Sequence, residues 1–197
     1  MELRDDIVGV ILAGGKSSRM GTDKALLEFK GKPFIQHIAE TLKSVFNHVI
    51  IISDYKEQYK FLSLPIYDDI YKNCGPLGGI HSAFVVSKNE NIFIASCDLP
   101  FINSLAIHYL LDHHSQSEAT MFSINQRTQP LFGLYNRSCF LKLENHLKQK
   151  QYSVLQFLNN IPTNVIQLKS SLAIAFSGNF KNINTPEDYQ AIAIKIT

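Results

Sequence analysis

The sequence predicts an α/β fold, one domain spanning residues 1–197, in which a mostly parallel sheet is covered by helices on both faces. Three observations predict it. Runs rich in Val and Ile at 7–12, 48–53 and 91–97 are nearly continuous in apolar character, which marks strands buried on both faces. Between them lie stretches whose apolar residues recur at three- and four-residue steps, the period of helices that pack one side on a sheet. Each strand-like run also stops at glycine, serine or aspartate, at the end where open parallel sheets bind ligands.

Taken in order, Ile7 to Leu12 is the first strand, and it breaks off at Gly14 and Gly15. A short extended piece from Leu26 to Pro33 closes on a glycine turn at Gly31. Ile35, Ile38, Leu42, Val45 and Phe46 share one face of a helix predicted from Phe34 to Phe46. His48 to Ser53 is a central strand that ends in Ser53-Asp54; these polar residues either meet a ligand or cap a helix from Tyr55 to Leu62. Leu64 to Tyr67 is extended and runs into Asp68-Asp69. Asn73 to Ile80, with three glycines and a proline, reads as a loop opening onto a helix from His81 to Ser87. Asn91 to Cys97 is the next buried strand, followed by Asp98.

The second half is less regular. A helix is predicted from Ser104 to His114, its terminal histidines placed as partners of the helix dipole. Ala119 to Ile124 is a strand, Gln129 to Asn136 is extended with open pairing, and helices cover Cys139 to Lys150 and Val154 to Asn160. Asn164 to Leu168 is extended. Thr185-Pro186-Glu187-Asp188 has a capping hydroxyl, a proline at the first helical position and acids in the first turn, and so starts a terminal helix reaching about Ile196.

Composition excludes several classes. The net charge is +2, from 19 Lys and Arg against 17 Asp and Glu, dispersed along the chain, so no nucleic-acid surface is expected. Cys74, Cys97 and Cys139 form neither a C-x-x-C pair nor a disulfide framework, and reduced thiols in a cytoplasmic protein are expected. Neither a signal peptide nor an apolar run long enough for a membrane span is present in these residues.

Chemistry is concentrated between Leu12 and Lys24. Gly14, Gly15 and Gly21 free the backbone, while Ser17, Ser18, Arg19 and Lys24 add donors and two positive charges, which suits a phosphate cradle as well as an ordinary turn. It is not a Walker A loop: Gly15 and Gly21 are six apart, and Thr22-Asp23 follows where Lys and Ser or Thr belong. A G-x-G-x-x-G fingerprint is absent too. Asp98, a carboxylate at a strand end beside this loop, is a candidate Mg²⁺ ligand, because Mg²⁺ binds one or two carboxylates together with phosphate oxygens; capping a helix near Asn103 is its other reading.

These motifs carry a family resemblance. L-A-G-G-K-S-S-R-M-G-T-D-K at Leu12 to Lys24 resembles the signature of nucleotidyltransferases, and its A-G-G form is similar to that of the molybdenum cofactor guanylyltransferases. G-P-L-G-G-I at Gly75 to Ile80, C-D-L-P-F at Cys97 to Phe101, Q-P-L-F-G-L-Y at Gln129 to Tyr135 and F-K-N-I-N-T-P-E-D at Phe180 to Asp188 resemble the later blocks of that family in the same order.

The resemblance implies a Rossmann-like nucleotidyltransferase fold. It also implies transfer of GMP from GTP to the phosphate of Mo-molybdopterin, forming the guanine dinucleotide and pyrophosphate. It assigns Leu12, Ala13, Gly14 and Gly15 to GTP, Arg19 and Lys24 to its phosphates, and Asp98 to Mg²⁺. Asp68 or Asp69, together with Gly78 and Gly79, falls near the nucleotide, and Asn182 and Asn184 near the pterin. Where some members carry a nucleotide-binding Asn, this chain has Ser53-Asp54. Transient contact with molybdoenzyme apo-proteins or other cofactor-biosynthesis proteins is implied as well. The rival readings are a cytidylyl- or uridylyltransferase acting on the pterin or a sugar phosphate, and a non-catalytic pterin carrier.

Overall fold

The computed structural model describes residues 3–14, 23–168, 176, 183 and 188–190. Its strands are β1 (Arg4–Leu12), β2 (Glu28–Phe29), β3 (Lys32–Pro33), β4 (Phe46–Ile52), β5 (Ile66–Tyr67), β6 (Asn91–Ser96), β7 (Ala119–Ile124), β8 (Arg127–Asn136) and β9 (Thr163–Gln167). Its α-helices are α1 (Phe34–Lys43), α2 (Lys56–Tyr59), α3 (Gly75–Ser87), α4 (Ser104–Asp112), α5 (Phe140–Lys148) and α6 (Val154–Leu158). Seven strands form one sheet in the order β5-β4-β1-β6-β8-β7-β9, and β2 and β3 make a small antiparallel pair beside it.

The sheet is mostly parallel. β5, β4, β1 and β6 pair in parallel, as do β7 and β9, and β8 alone runs the other way between β6 and β7. The hairpin from β7 to β8 causes this reversal. Asn125 and Gln126 both take positive φ, the conformation that matches a two-residue turn to strand twist. Pro130 lies inside β8 and cannot donate to a ladder, and the pairing with β7 slips between Met121 and Ser123 to accommodate it. Gln129 to Leu131 therefore leave the regular ladder near the carboxyl end of β6.

Side chains alternate along β1 and divide the core into two layers. Ile7 and Ile11 point to the face covered by α1 and α4, where they meet Ile35, Ile38, Leu42, Ile107 and Leu110. Val8, Val10 and Leu12 point to the face covered by α3, α5 and α6, against Leu77, Ile80, Phe84, Leu143 and Phe157. Gly9 makes room for the Phe46 ring of β4 and for Leu42 of α1: a β-carbon there would stand 2.9 Å from a ring carbon of Phe46 and 3.5 Å from Leu42 Cβ.

Several elements differ from the sequence reading. The first strand starts earlier, at Arg4. The first helix stops at Lys43, Val45 lies in the turn that follows and Phe46 opens β4; their apolar spacing suits either element, which is why periodicity did not separate them. Tyr55 to Leu62 is one short α-turn followed by a 3-10 turn at Lys60–Leu62. The largest correction is α3, which begins at Gly75 and so takes in the segment read as a glycine loop. Pro76 is accepted in its first turn, and Gly78 and Gly79 are buried within it. The terminal helix expected from Thr185 to about Ile196 falls largely outside the described residues; residues 188–190, which are described, are helical.

Candidate active site

The carboxyl ends of β4, β1 and β6 are held level by hydrogen bonds that continue past the strands. Ala13 donates to Ile52 at 3.0 Å, Cys97 to Leu12 at 3.1 Å and Ser53 to Tyr67 at 2.8 Å. Above this shelf opens a cleft with two lobes, of about 200 and about 220 Å³, which share Gly14, Tyr55, Pro76, Ser96 and Leu131. The displaced Leu131 belongs to both lobes because Pro130 takes it out of the ladder.

The first lobe is an apolar slot with an acidic wall. Leu12 and Ile52 supply apolar surface, and Gly79 of α3 brings the helix close, since a β-carbon there would lie 3.0 Å from Leu12 Cδ2. Asp69 Oδ1 is buried and meets no hydrogen-bond donor among the described residues. Burial, and secondarily the Asp54 carboxylate, raises the Asp69 pKa above its ordinary value. Asp54 accepts from the Asp69 backbone N–H at 3.2 Å and from the Lys72 ammonium, strapping residues 68–72 along the rim. Ser82 Oγ accepts from Ile70 N–H at 2.8 Å and donates to Gly78 O at 3.0 Å, fixing the same segment to α3. An apolar slot with an acceptor carboxylate on its wall suits a heterocycle that presents N–H donors.

The second lobe carries the charges. Ala13, Gly14, Asp23, Lys24, Tyr59, Cys97 and Asp98 line it. Lys24 opens a 3-10 turn, Lys24–Leu26, that Asp23 caps by accepting from Ala25 N–H at 3.0 Å. The other Asp23 oxygen accepts from the Tyr59 hydroxyl. Burial, then the carboxylates of Asp98 and Asp23, pushes the Cys97 thiol up to about 12, so it stays protonated and is not a nucleophile at neutral pH. Asp98 does not cap α4: Asn103 does, with its side chain accepting from Ala106 N–H at 2.9 Å.

The donor set fits a hard divalent cation. Asp98 and Asp23 flank Cys97 closely enough for both charges to act on its thiol. Among the described residues no three His, Cys, Asp or Glu side chains gather into a ready-made metal cage. Few protein carboxylates beside a lysine is the pattern of a cation that completes its shell with substrate phosphate and water.

Of the residues singled out in the sequence, the structure brings Leu12, Gly14 and Asp69 to the first lobe and Ala13, Gly14, Lys24 and Asp98 to the second. Asp68 stands apart from the cleft, exposed and paired with Lys56 at 2.7 Å. Gly78 is also away from it, buried where a β-carbon would meet Tyr71 O at 2.8 Å; Gly79 is the glycine on the wall. Gly15, Arg19, Asn182 and Asn184 lie outside the described residues. Ile183, between the two asparagines, is fully buried, and its N–H donates to Asp98 O at 3.3 Å. Tyr55, Tyr59, Asn73 and Leu131 were not singled out, and only the last lies in a quoted motif, Q-P-L-F-G-L-Y.

A profile of the MobA-like NTP transferase domain matches residues 9–162, which hold both lobes. The chain belongs to that family. A Clostridium perfringens relative named "Probable molybdenum cofactor guanylyltransferase" is 35% identical over 189 residues, covering 94% of this chain and 95% of the relative. The crystal structure of an Aquifex aeolicus protein superposes with a TM-score of 0.78 at 30% identity, over 90% of this chain and 93% of that one. An Archaeoglobus fulgidus molybdopterin-guanine dinucleotide biosynthesis protein A shares the fold, with a TM-score of 0.81 at 21% identity over 96% and 98% of the two chains. The fold of this MobA-like transferase domain is thus the nucleotidyltransferase α/β sheet, and among its described residues no helix is long and apolar enough to cross a membrane.

Proposed function

We propose that this chain is a cytoplasmic guanylyltransferase that moves GMP from GTP to the terminal phosphate of Mo-molybdopterin, releasing pyrophosphate. The observation that carries the reading is the two-lobed cleft, in which an apolar slot walled by Asp69 opens directly into a lobe holding Lys24 and Asp98. Guanine presents N1–H and an amino group on one edge, donors that the Asp69 carboxylate on the wall of the slot can accept. The triphosphate then extends over Ala13 and Gly14 toward Lys24.

In the reaction a pterin phosphate oxygen forms a bond to the α-phosphorus of GTP, and the bond from that phosphorus to the oxygen bridging it to the β-phosphorus breaks, that oxygen leaving with its electron pair as a terminal oxygen of pyrophosphate. The attacking phosphate is already anionic at neutral pH, so its activation needs no strong base; the barrier lies in bringing two anions together in line. Lys24 meets the triphosphate as a positive charge held in place by its capped turn, and stabilises the charge that develops on the leaving group. Asp98 would hold Mg²⁺, which when bound supplies further charge neutralisation on the triphosphate. The pterin approaches from the side of Asp98 and Ile183, next to Asn182 and Asn184 in sequence. Delivery of the product to molybdoenzyme apo-proteins is part of the same proposal.

Pyrophosphate release by the purified protein tests it. Release that requires GTP, Mg²⁺ and Mo-molybdopterin together is the expected result, with Lys24→Ala and Asp98→Ala each lowering turnover by about 100-fold or more while the variants stay folded. A preference for CTP or UTP would replace the guanine assignment. Tight pterin binding without turnover would make the chain a carrier.

A further inference from the structure

We infer that Tyr59 is a positioning residue for nucleotidyl transfer, acting through Asp23 to hold the turn that carries Lys24. The inference rests on the guanylyltransferase reading for the reaction it serves, although the positioning itself concerns any triphosphate in this lobe. Tyr59 ends α2, a short helix that follows β4, whereas Asp23 lies at the end of the segment that follows β1. Their hydrogen bond joins two pieces of chain 36 residues apart. It also divides the labour of one carboxylate. Oδ1 of Asp23 caps Ala25 N–H and so shapes the Lys24–Leu26 turn, while Oδ2 is taken by the Tyr59 hydroxyl.

Packing alone does not account for the hydroxyl. Tyr59 is 1% exposed and its ring belongs to the core cluster beneath α1, a place that phenylalanine would fill equally well. The hydroxyl reaches beyond that cluster to the wall of the charged lobe. There it restrains a carboxylate at its second oxygen, and a carboxylate held at both oxygens cannot rotate about its terminal bond. The turn it caps then keeps the backbone of Lys24 fixed relative to Ala13 and Gly14 on the same wall. Transfer between two anions depends steeply on where the neutralising charge sits, and a misplacement of about 1 Å can lower a rate by about 100-fold.

The test uses the full chain with Tyr59→Phe, Lys24→Ala, the double variant, and Asp23→Asn as a near-isosteric second disruption of the pair. Each is measured for GTP- and Mo-molybdopterin-dependent pyrophosphate release and, without pterin, for calorimetric binding of GTP with Mg²⁺. Tyr59→Phe is expected to lower kcat by about tenfold or more, with a smaller change in KM for GTP. Asp23→Asn is expected to do the same. Adding Tyr59→Phe to Lys24→Ala should change neither the residual rate nor GTP binding by more than about twofold, because the group it positions is already gone.

Full kcat in folded Tyr59→Phe overturns the inference. So does an equal fold-loss with and without Lys24, which is the signature of a structural role. Should Tyr59→Phe not fold, Asp23→Asn and its combination with Lys24→Ala decide by the same criteria. If the unmodified protein releases no pyrophosphate from GTP, the functional reading fails on its own. The positioning role then stands or falls on whether Tyr59→Phe weakens triphosphate binding only when Lys24 is present.

Discussion

Asp69 shows how one carboxylate can be set against the stability of its own fold. Its pKa is raised first by burial and then by the nearby Asp54 carboxylate, so the folded protein holds the ionised form less readily than the unfolded chain does. The sign follows. Above the raised pKa the ionised group weakens the empty fold, and this penalty disappears as pH falls through that pKa and the group takes up a proton. A nucleotide that donates to the Asp69 carboxylate reverses the balance, because it answers the charge. Asp69→Asn is therefore expected to raise the melting temperature of the nucleotide-free protein at neutral pH while weakening GTP binding by about tenfold or more. Thermal melts with and without GTP check both halves, and a lowered melting temperature together with unchanged affinity would remove Asp69 from the site. For the unmodified protein, GTP affinity should fall on acidification at a pH above the ordinary aspartate pKa. Sequence left Asp68 and Asp69 equivalent because they are adjacent. Only the exit path of β5 turns one toward Lys56 and the other toward the cleft.

At the scale of elements, α3 fixes the width of the nucleotide slot through two glycines with different duties. A β-carbon at Gly78 would meet the Tyr71 carbonyl oxygen at 2.8 Å, and backbone cannot step aside. At Gly79 the nearest atom is a terminal methyl of Leu12 at 3.0 Å, which can rotate. Gly78→Ala is expected to destabilise by about 1–3 kcal/mol in urea unfolding with GTP affinity little changed among the folded molecules. Gly79→Ala should be nearly neutral in stability, because the helix-propensity gain of about 0.5–1 kcal/mol offsets the crowding, while GTP binding weakens. The reverse pattern would refute the assignment of Gly79 to the wall. This helix also shows where sequence reading ran out. β1, β4 and β6 were legible because burial on both faces writes a nearly continuous apolar run, and Asp98, two residues past β6, was legible because polar residues end such runs. The start of α3 was not, since Gly75, Pro76, Gly78 and Gly79 carry the composition of a loop: Gly78 and Gly79 stand where Tyr71 and Leu12 crowd a β-carbon, and Gly75 takes a φ of +62° at the helix start. Tyr59 was hidden for a similar reason, since its hydroxyl finds Asp23 across the fold and no local pattern announces it.

For the whole molecule, the cleft belongs to no single element. β1, β4 and β6 supply its floor, α3 one wall, the Lys24 turn and Tyr59 another, and the displaced part of β8 closes it at Leu131. A ligand seated there touches both sides of the central strand β1 and links the segments that follow β1, β4, β5 and β6. Its binding energy is then felt by the global fold through mass action. At a free GTP concentration 100 times its dissociation constant, with Mg²⁺, stabilisation amounts to about 2.7 kcal/mol. For a chain of this size each kcal/mol corresponds to about 2–4 °C, so the melting temperature should rise by about 5–10 °C. CTP and UTP at the same concentration lack the paired donors that Asp69 answers and should produce markedly smaller shifts. Asp98→Ala should lose most of the part that depends on Mg²⁺ while leaving the melting temperature without nucleotide nearly unchanged, because Asp98 neither caps α4 nor belongs to the apolar core. Equal shifts for all three triphosphates would mean that the charged lobe alone binds them, and that the slot beside Asp69 serves something other than the base.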